Sequence, residues 1–221
     1  MSSFLKVILG FCSLAILGGC AGTQTTPYDY TAFEESKPSS IIILPPVNKS
    51  PDIKASSSLL SQLSYPLGEA GYYVLPVALV AETFKQNGLT NPEDIQQASA
   101  TKIRDIFGAD AALYVEISRY GTSYQLIRSE TAVAASARLV DLRTGQLLWE
   151  GSAAASTAEQ QQSSQGGIAG MLISAIVNQI ADSLTDRGHE MAGIAGYRLL
   201  TPNRANGILV GPHYPKELAT R

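Results

Sequence analysis

One thiol in the chain stands where it can be processed. Leu17-Gly18-Gly19-Cys20 sets an apolar residue and two glycines directly before Cys20, and upstream of them Lys6 precedes an apolar run from Val7 to Leu17. A short positive start, an apolar stretch of about a dozen residues and a small-residue exit are the parts of a secretory signal peptide. Glycines at the two positions before the scissile bond fit a narrow protease groove, so cleavage between Gly19 and Cys20 makes the cysteine a new N-terminus. The alternative of a retained membrane helix is disfavoured, because the run falls short of the roughly 18 residues that span a bilayer.

Leu17-Gly18-Gly19-Cys20 resembles the bacterial lipobox. That resemblance implies a diacylglycerol on the Cys20 sulfur and an acyl chain on its nitrogen, with each buried methylene adding about 0.8 kcal/mol of membrane affinity. An Asp after the cysteine is the inner-membrane retention signal of such lipoproteins, and here the position holds Ala21. The resemblance therefore implies the outer membrane, with the folded part facing the periplasm. The lipid on Cys20 is the only non-protein group expected, and no cofactor or metal is.

Other chemistry is scarce. Serine or cysteine catalysis needs an imidazole within reach, and the chain has two, His189 and His213, with no G-x-S-x-G elbow. Twenty-four residues separate those histidines, no His-x-x-x-His pair occurs, and Cys12 leaves with the leader, so zinc would depend on scattered carboxylates. Gly166-Gly167-Ile168-Ala169-Gly170 lacks the Lys-Ser/Thr of a phosphate loop and reads instead as close helix packing. Carboxylates at Glu34, Glu35, Asp52, Glu93, Asp94, Asp105 and Asp110 fall on loops and helix ends, where acids stabilise dipoles. No enzyme is expected. Tyr72, Tyr73, Tyr114 and Tyr120 could line a cleft for an envelope lipid or glycan, or pack as ordinary strand residues.

The elements that would position these groups follow from pattern. A net charge of -3 with 16% charged residues gives no basic field for phosphate backbones, which disfavours nucleic acid. Residues 20–40 are poor in aliphatics and rich in Thr, Ser and Pro, and read as the lipidated cysteine and a flexible tether. Ile41-Ile42-Ile43-Leu44, stopped by Pro45-Pro46, suits a central strand covered on both faces. Leu59, Leu60, Leu63 and Leu67 recur at helical spacing, with Pro66 near the last turn and Gly71 as the stop. A strand from Tyr72 to Leu75, a helix from Pro76 to Gln86 and one helix from Asn91 to Phe107 follow, the last begun by a capping Asn, a Pro and two acids.

Ala111 to Tyr120 alternates as a strand. Residues 124–128, 131–141 and 146–155 are three further extended segments, the last two joined by a tight hairpin in which Gly145 takes the left-handed conformation. Trp149 on the return strand is expected to pack against a helix layer. Residues 156–167 are a polar, low-complexity loop. Within an amphipathic helix at 168–188, Ile168, Leu172, Ile176 and Ile180 form an apolar stripe that Met171, Ile173 and Val177 broaden, a candidate interface for self-association or partner binding. Residues 189–221 lack clear periodicity and read as an extended arm.

IIILPPVNKS, GYYVLP, GADAALYVEI and ARLVDLRTGQLLWEG, in that order, resemble the small α/β domain of TolB's N-terminal part and of curli-secretion-type lipoproteins. That resemblance covers residues 41–155. With the ending ANGILVGPHYP, the chain is similar to a family of Gram-negative outer-membrane lipoproteins of unknown function. The expected fold is α/β (α+β): a mixed sheet in two or three layers with flanking helices, plus the C-terminal helix and arm. The resemblance implies a periplasm-facing outer-membrane lipoprotein; the scarcity of catalytic groups and the apolar 168–188 helix add the expectation of a non-catalytic assembly or interaction subunit of an envelope or secretion complex, with a second copy of itself or another envelope lipoprotein as partner.

Overall fold

The computed structural model describes residues 27–124, 129–159, 187–202 and 204–215. Its elements are α1 (Thr31–Ser36), β1 (Ser40–Ile43), β2 (Val47–Asn48), α2 (Ala55–Glu69), β3 (Tyr73–Val74), α3 (Val77–Gln86), α4 (Pro92–Gln96), α5 (Ala100–Phe107), β4 (Ala111–Tyr124), β5 (Ser129–Asp141), β6 (Leu147–Ser156) and α6 (Arg187–Leu200). The strands form one mixed sheet in the order β3-β1-β4-β5-β6, with β2 also against β4. β1 pairs in parallel with β3 and β4, whereas β4-β5 and β5-β6 are antiparallel.

Chain handedness sets the layers. β1 to β3 steps one way across the sheet and β3 to β4 steps back past β1. Both are parallel crossovers, which are right-handed in nearly all proteins. Opposite steps of one hand put α2 on one face and α3, α4 and α5 on the other. β1 is sealed between them: Ile41 and Ile43 join the core under α2, Ile42 and Leu44 join Val80, Phe84, Ile95 and Ile103, and all four β1-region residues have no exposed surface. Pro45 and Pro46 interrupt the ladder, which resumes where Val47 pairs with Glu116.

β4 is longer than the alternation alone suggested, running to Tyr124, the first residue of the extended segment expected over 124–128; residues 125–128 lie outside the described residues. A register shift between Ile117 and Arg119 turns the strand by one residue, which puts Tyr120 on the same face as Val115 and Ile117. The hairpin after β5 closes as expected, with Gly145 at φ +75° and its N–H donating to the Asp141 carbonyl at 2.8 Å.

Three boundaries depart from the sequence reading. The helix expected over 91–107 is two, because Ser99 is a second N-cap whose hydroxyl accepts from the Lys102 amide. The tether expected over residues 20–40 is folded from Tyr28 onward: α1 buries Phe33 to 4% exposure, and the rings of Tyr28 and Tyr30 lie 4.9 Å apart against the core. The first part of the segment expected as an extended arm is α6, which packs beside α2 on the face that β4, β5 and β6 also line. Gly196 permits that approach, since a Cβ there would lie 3.2 Å from Leu63 Cδ2.

After α6 the chain crosses the body as a strap, residues 204–215. Its backbone is bonded to the turn after α2. The Gly211 amide donates to the Ala70 carbonyl at 2.7 Å and the His213 amide to the Gly71 carbonyl at 3.1 Å. Gly71, at φ +88°, has no room for a side chain: a Cβ would stand 2.3 Å from the Tyr214 nitrogen.

Candidate functional sites on and around the sheet

Gly19 and Cys20 lie outside the described residues, and so do Ile168, Met171, Leu172, Ile173, Ile176, Val177 and Ile180. The four tyrosines proposed for one cleft are not brought together. Tyr72 is buried and donates to the Leu209 carbonyl at 2.6 Å, its phenol pushed up by that burial. Tyr73 is exposed on the edge strand β3, Tyr114 faces the α3–α5 side, and Tyr120 faces α6.

The structure does join one hydroxyl–imidazole pair that sequence spacing could not reveal. Parallel packing of α2 and α6 sets Ser58 Oγ 2.9 Å from His189 Nδ1, while Tyr120 donates its phenol to the same Oγ at 2.8 Å. Gln62 Nε2 lies 2.6 Å from His189 Nε2. An amide N–H2 only donates, so in this orientation Nε2 accepts and Nδ1–H donates to Ser58. The imidazole's basic nitrogen is then occupied by Gln62 and is not aimed at the serine. This arrangement clasps α2, α6 and β4 and lacks the carboxylate that orients a catalytic imidazole.

Two carboxylates are also bound up structurally. Asp110 Oδ2 accepts from the amides and hydroxyls of Ser39 and Ser40 at 2.8–3.0 Å. Burial alone would raise its pKa, but these four donors outweigh it and hold the group below the usual carboxylate range. Asp141, 1% exposed, accepts from Ser36 Oγ at 2.5 Å, the Arg143 and Thr144 amides at 2.6 and 3.0 Å, and the Arg143 guanidinium at 3.0 Å. Burial again opposes the shift, and the Arg143, Ser36 and Thr144 donors overcome it and push the group far down. Asp110 thus fixes the start of β1, and Asp141 ties α1 to the hairpin. Among the described residues no three His, Cys, Asp or Glu side chains converge as metal ligands.

What remains open is half of the sheet. Helices α3, α4 and α5 cover β1 and the start of β4, but the same face of β5 and β6 carries no helix among the described residues. Where the cover ends, a groove of about 580 Å³ is lined by Gln96, Tyr114, Glu116, Ser136, Arg138 and Glu150, among others. Its side chains follow from strand alternation, with Ser136 and Arg138 outward and Ala135, Ala137 and Leu139 inward. Gln96 pins the α4 wall by donating to the Pro45 and Val115 carbonyls at 2.9 and 3.0 Å. The Arg138 guanidinium lies 5.5 Å from the Tyr114 ring centroid. A cation on an aromatic face flanked by two carboxylates, hydroxyls and an amide can grip a polar extended chain or a sugar, and contains no nucleophile–base pair. The signal for it in sequence was the alternation of residues 131–141; which strands the described helices cover was not in the sequence.

Known proteins share this fold and sequence. A lipoprotein of Neisseria meningitidis serogroup B, NMB1124/NMB1162, is 50% identical over 211 residues, covering 96% of this chain and 97% of the relative. The crystal structure of lipoprotein GNA1162 from Neisseria meningitidis superposes with a TM-score of 0.52 at 51% identity, over 66% of this chain and all of that one. The C-terminal domain of LpoB from Salmonella enterica aligns over 53% of this chain and 82% of its own at 22% identity and TM-score 0.39, a likeness too loose to carry a functional argument. Residues 28–213 match the family described as "Putative lipoprotein GNA1162-like", and the chain belongs to it.

Proposed function

We propose that this chain is a non-catalytic interaction subunit of an envelope or secretion complex, anchored in the outer membrane by lipid on Cys20 and facing the periplasm. The observation that carries the reading is the half of the sheet with no helix cover among the described residues: a polar, aromatic-backed surface on a body in which Asp110, Asp141 and the Ser58–His189 pair are taken up by structural bonds. Anchoring at Cys20, with Ala21 behind it, supplies the address. A photocrosslinking residue in place of Ser136 in intact cells is expected to trap an envelope protein, and loss of that adduct on Arg138→Ala supports the groove. Trapping nothing at Ser136 while a probe at an outward α3 position traps an envelope protein overturns it.

Self-association through Ile168, Met171, Leu172, Ile173, Ile176, Val177 and Ile180 is the second contact we propose. Replacing Ile173 and Val177 with Asp is expected to lower the oligomer mass in light scattering; an unchanged mass with the fold intact rejects that face.

A second class, a small envelope ligand such as a glycan, is favoured by one observation, the Arg138–Tyr114 stack inside a groove of this size. Native mass spectrometry separates the cases, as a multimer or as a bound small mass.

A further inference from the structure

A second groove, of about 560 Å³, runs between α1 and the strap, floored by Phe33, Pro38, Leu209 and Val210 with Glu34 and Lys37 at its edge. It lies where the chain enters the fold. The Tyr28 amide donates to the Asn206 side chain at 3.0 Å, and the Tyr30 hydroxyl donates to the Gly207 carbonyl, so both sides of the entry are tied to the strap. Pro27, next to the tied Tyr28, stands seven residues after Cys20. Seven residues reach at most about 25 Å, whatever their conformation. β4, with 14 residues, is by itself about 45 Å long. The leash is shorter than the body it holds.

We propose that the groove between α1 and the strap is a membrane-docking surface, lying against the zwitterionic headgroup layer of the leaflet that holds the lipid of Cys20. The proposal rests on the lipid-anchor reading. Three observations lead to it. The connection is too short to let the entry side turn far from the bilayer. The groove has an apolar floor, with Val210 38% exposed at its lip, and a rim of one acid and one base, which matches the paired charges of a phosphoethanolamine headgroup. Tyr28 and Tyr30, tied to the strap at Asn206 and Gly207 just before the groove residue Leu209, carry rings that suit a boundary apolar on one side and wet on the other. The opposite end of the molecule, where Ile53 and Asp52 sit beside Gly121, is about ten residues further along β4, or about 33 Å.

The test uses the full lipidated chain in vesicles of phosphatidylethanolamine and phosphatidylglycerol. A fluorophore is placed on a single introduced cysteine, Val210→Cys or Pro212→Cys on the strap and Ile53→Cys at the far end, and is quenched by headgroup-nitroxide lipid. Both strap labels are expected to be quenched several-fold more than the Ile53→Cys label. On a chain that floats with the vesicles, equal quenching or stronger quenching at Ile53→Cys overturns docking and leaves the anchor standing. A chain that does not float overturns the anchor and docking together. Two strap positions, each checked by circular dichroism, keep the result independent of one variant's folding.

Discussion

The two faces of the β5–β6 hairpin are built from the same alternating strands and meet different fates. On one face Val133, Ala135, Ala137, Leu139 and Trp149 are sealed beneath α6; on the other Ser136, Arg138 and Glu150 stand in solvent beside the groove. The covered face holds stability, and the bare face is free to vary without unfolding the protein. In a chain with few chemical groups left unengaged, that division separates the part that holds the fold from the part open to a partner.

The comparison breaks most sharply at Trp149. Its ring is 1% exposed, lies close over Gly151 and donates from Nε1 to the Asn206 carbonyl at 3.0 Å, joining hairpin and strap. Trp149→Ala is expected to cost about 3–5 kcal/mol in urea unfolding, as for other buried aromatics. Gly71→Ala is next: a side chain at φ +88° carries backbone strain of about 1–3 kcal/mol and also collides with Tyr214. A lower Tm with faster proteolysis after α6 is the expected outcome, and resistance equal to wild type would show that the strap does not need the contact.

Acid sharpens the same contrast. Asp110 and Asp141 have folded pKa values below their unfolded ones, so they bind protons less readily when folded. Their contribution to stability is full above the ordinary carboxylate range, near pH 4, and drains as the pH falls below it. Asp141→Asn is expected to flatten that acid limb of the unfolding curve, and an unchanged limb would assign it to other groups. The smallest effect belongs to the bare face. Arg138→Ala is expected to change stability by no more than about 0.5 kcal/mol while abolishing partner capture, a separation that a core residue cannot show.

Legibility in the sequence followed the same division. The central strand, the hairpin and the leucine-striped helix α2 were readable because a run of β-branched residues, a left-handed glycine and a helical leucine stripe are each local signals. α1 was not: Thr31–Ser36 is six residues long, below what an isolated helix sustains, and it forms because Phe33 is buried and Ser36 is bound to Asp141. α6 was hidden by Gly188, Gly193 and Gly196, poor helix formers, of which Gly188 and Gly196 allow its close packing against Tyr120 and Leu63. Of the candidate sites, the strand alternation that supplies the groove's side chains was visible, whereas the Ser58–His189 pair, 131 residues apart, was not.

By itself the sequence determined the central strand, the leucine-striped helix α2, the β5–β6 hairpin and the scarcity of imidazoles and thiols, because residue type and near-neighbour spacing suffice for each. Only the tertiary structure decided where the tether ends, which hydroxyl meets the imidazole and which half of the sheet is left without helix cover among the described residues. Those outcomes depend on contacts between segments far apart in the chain, and on which apolar faces remain once the crossovers have placed their helices.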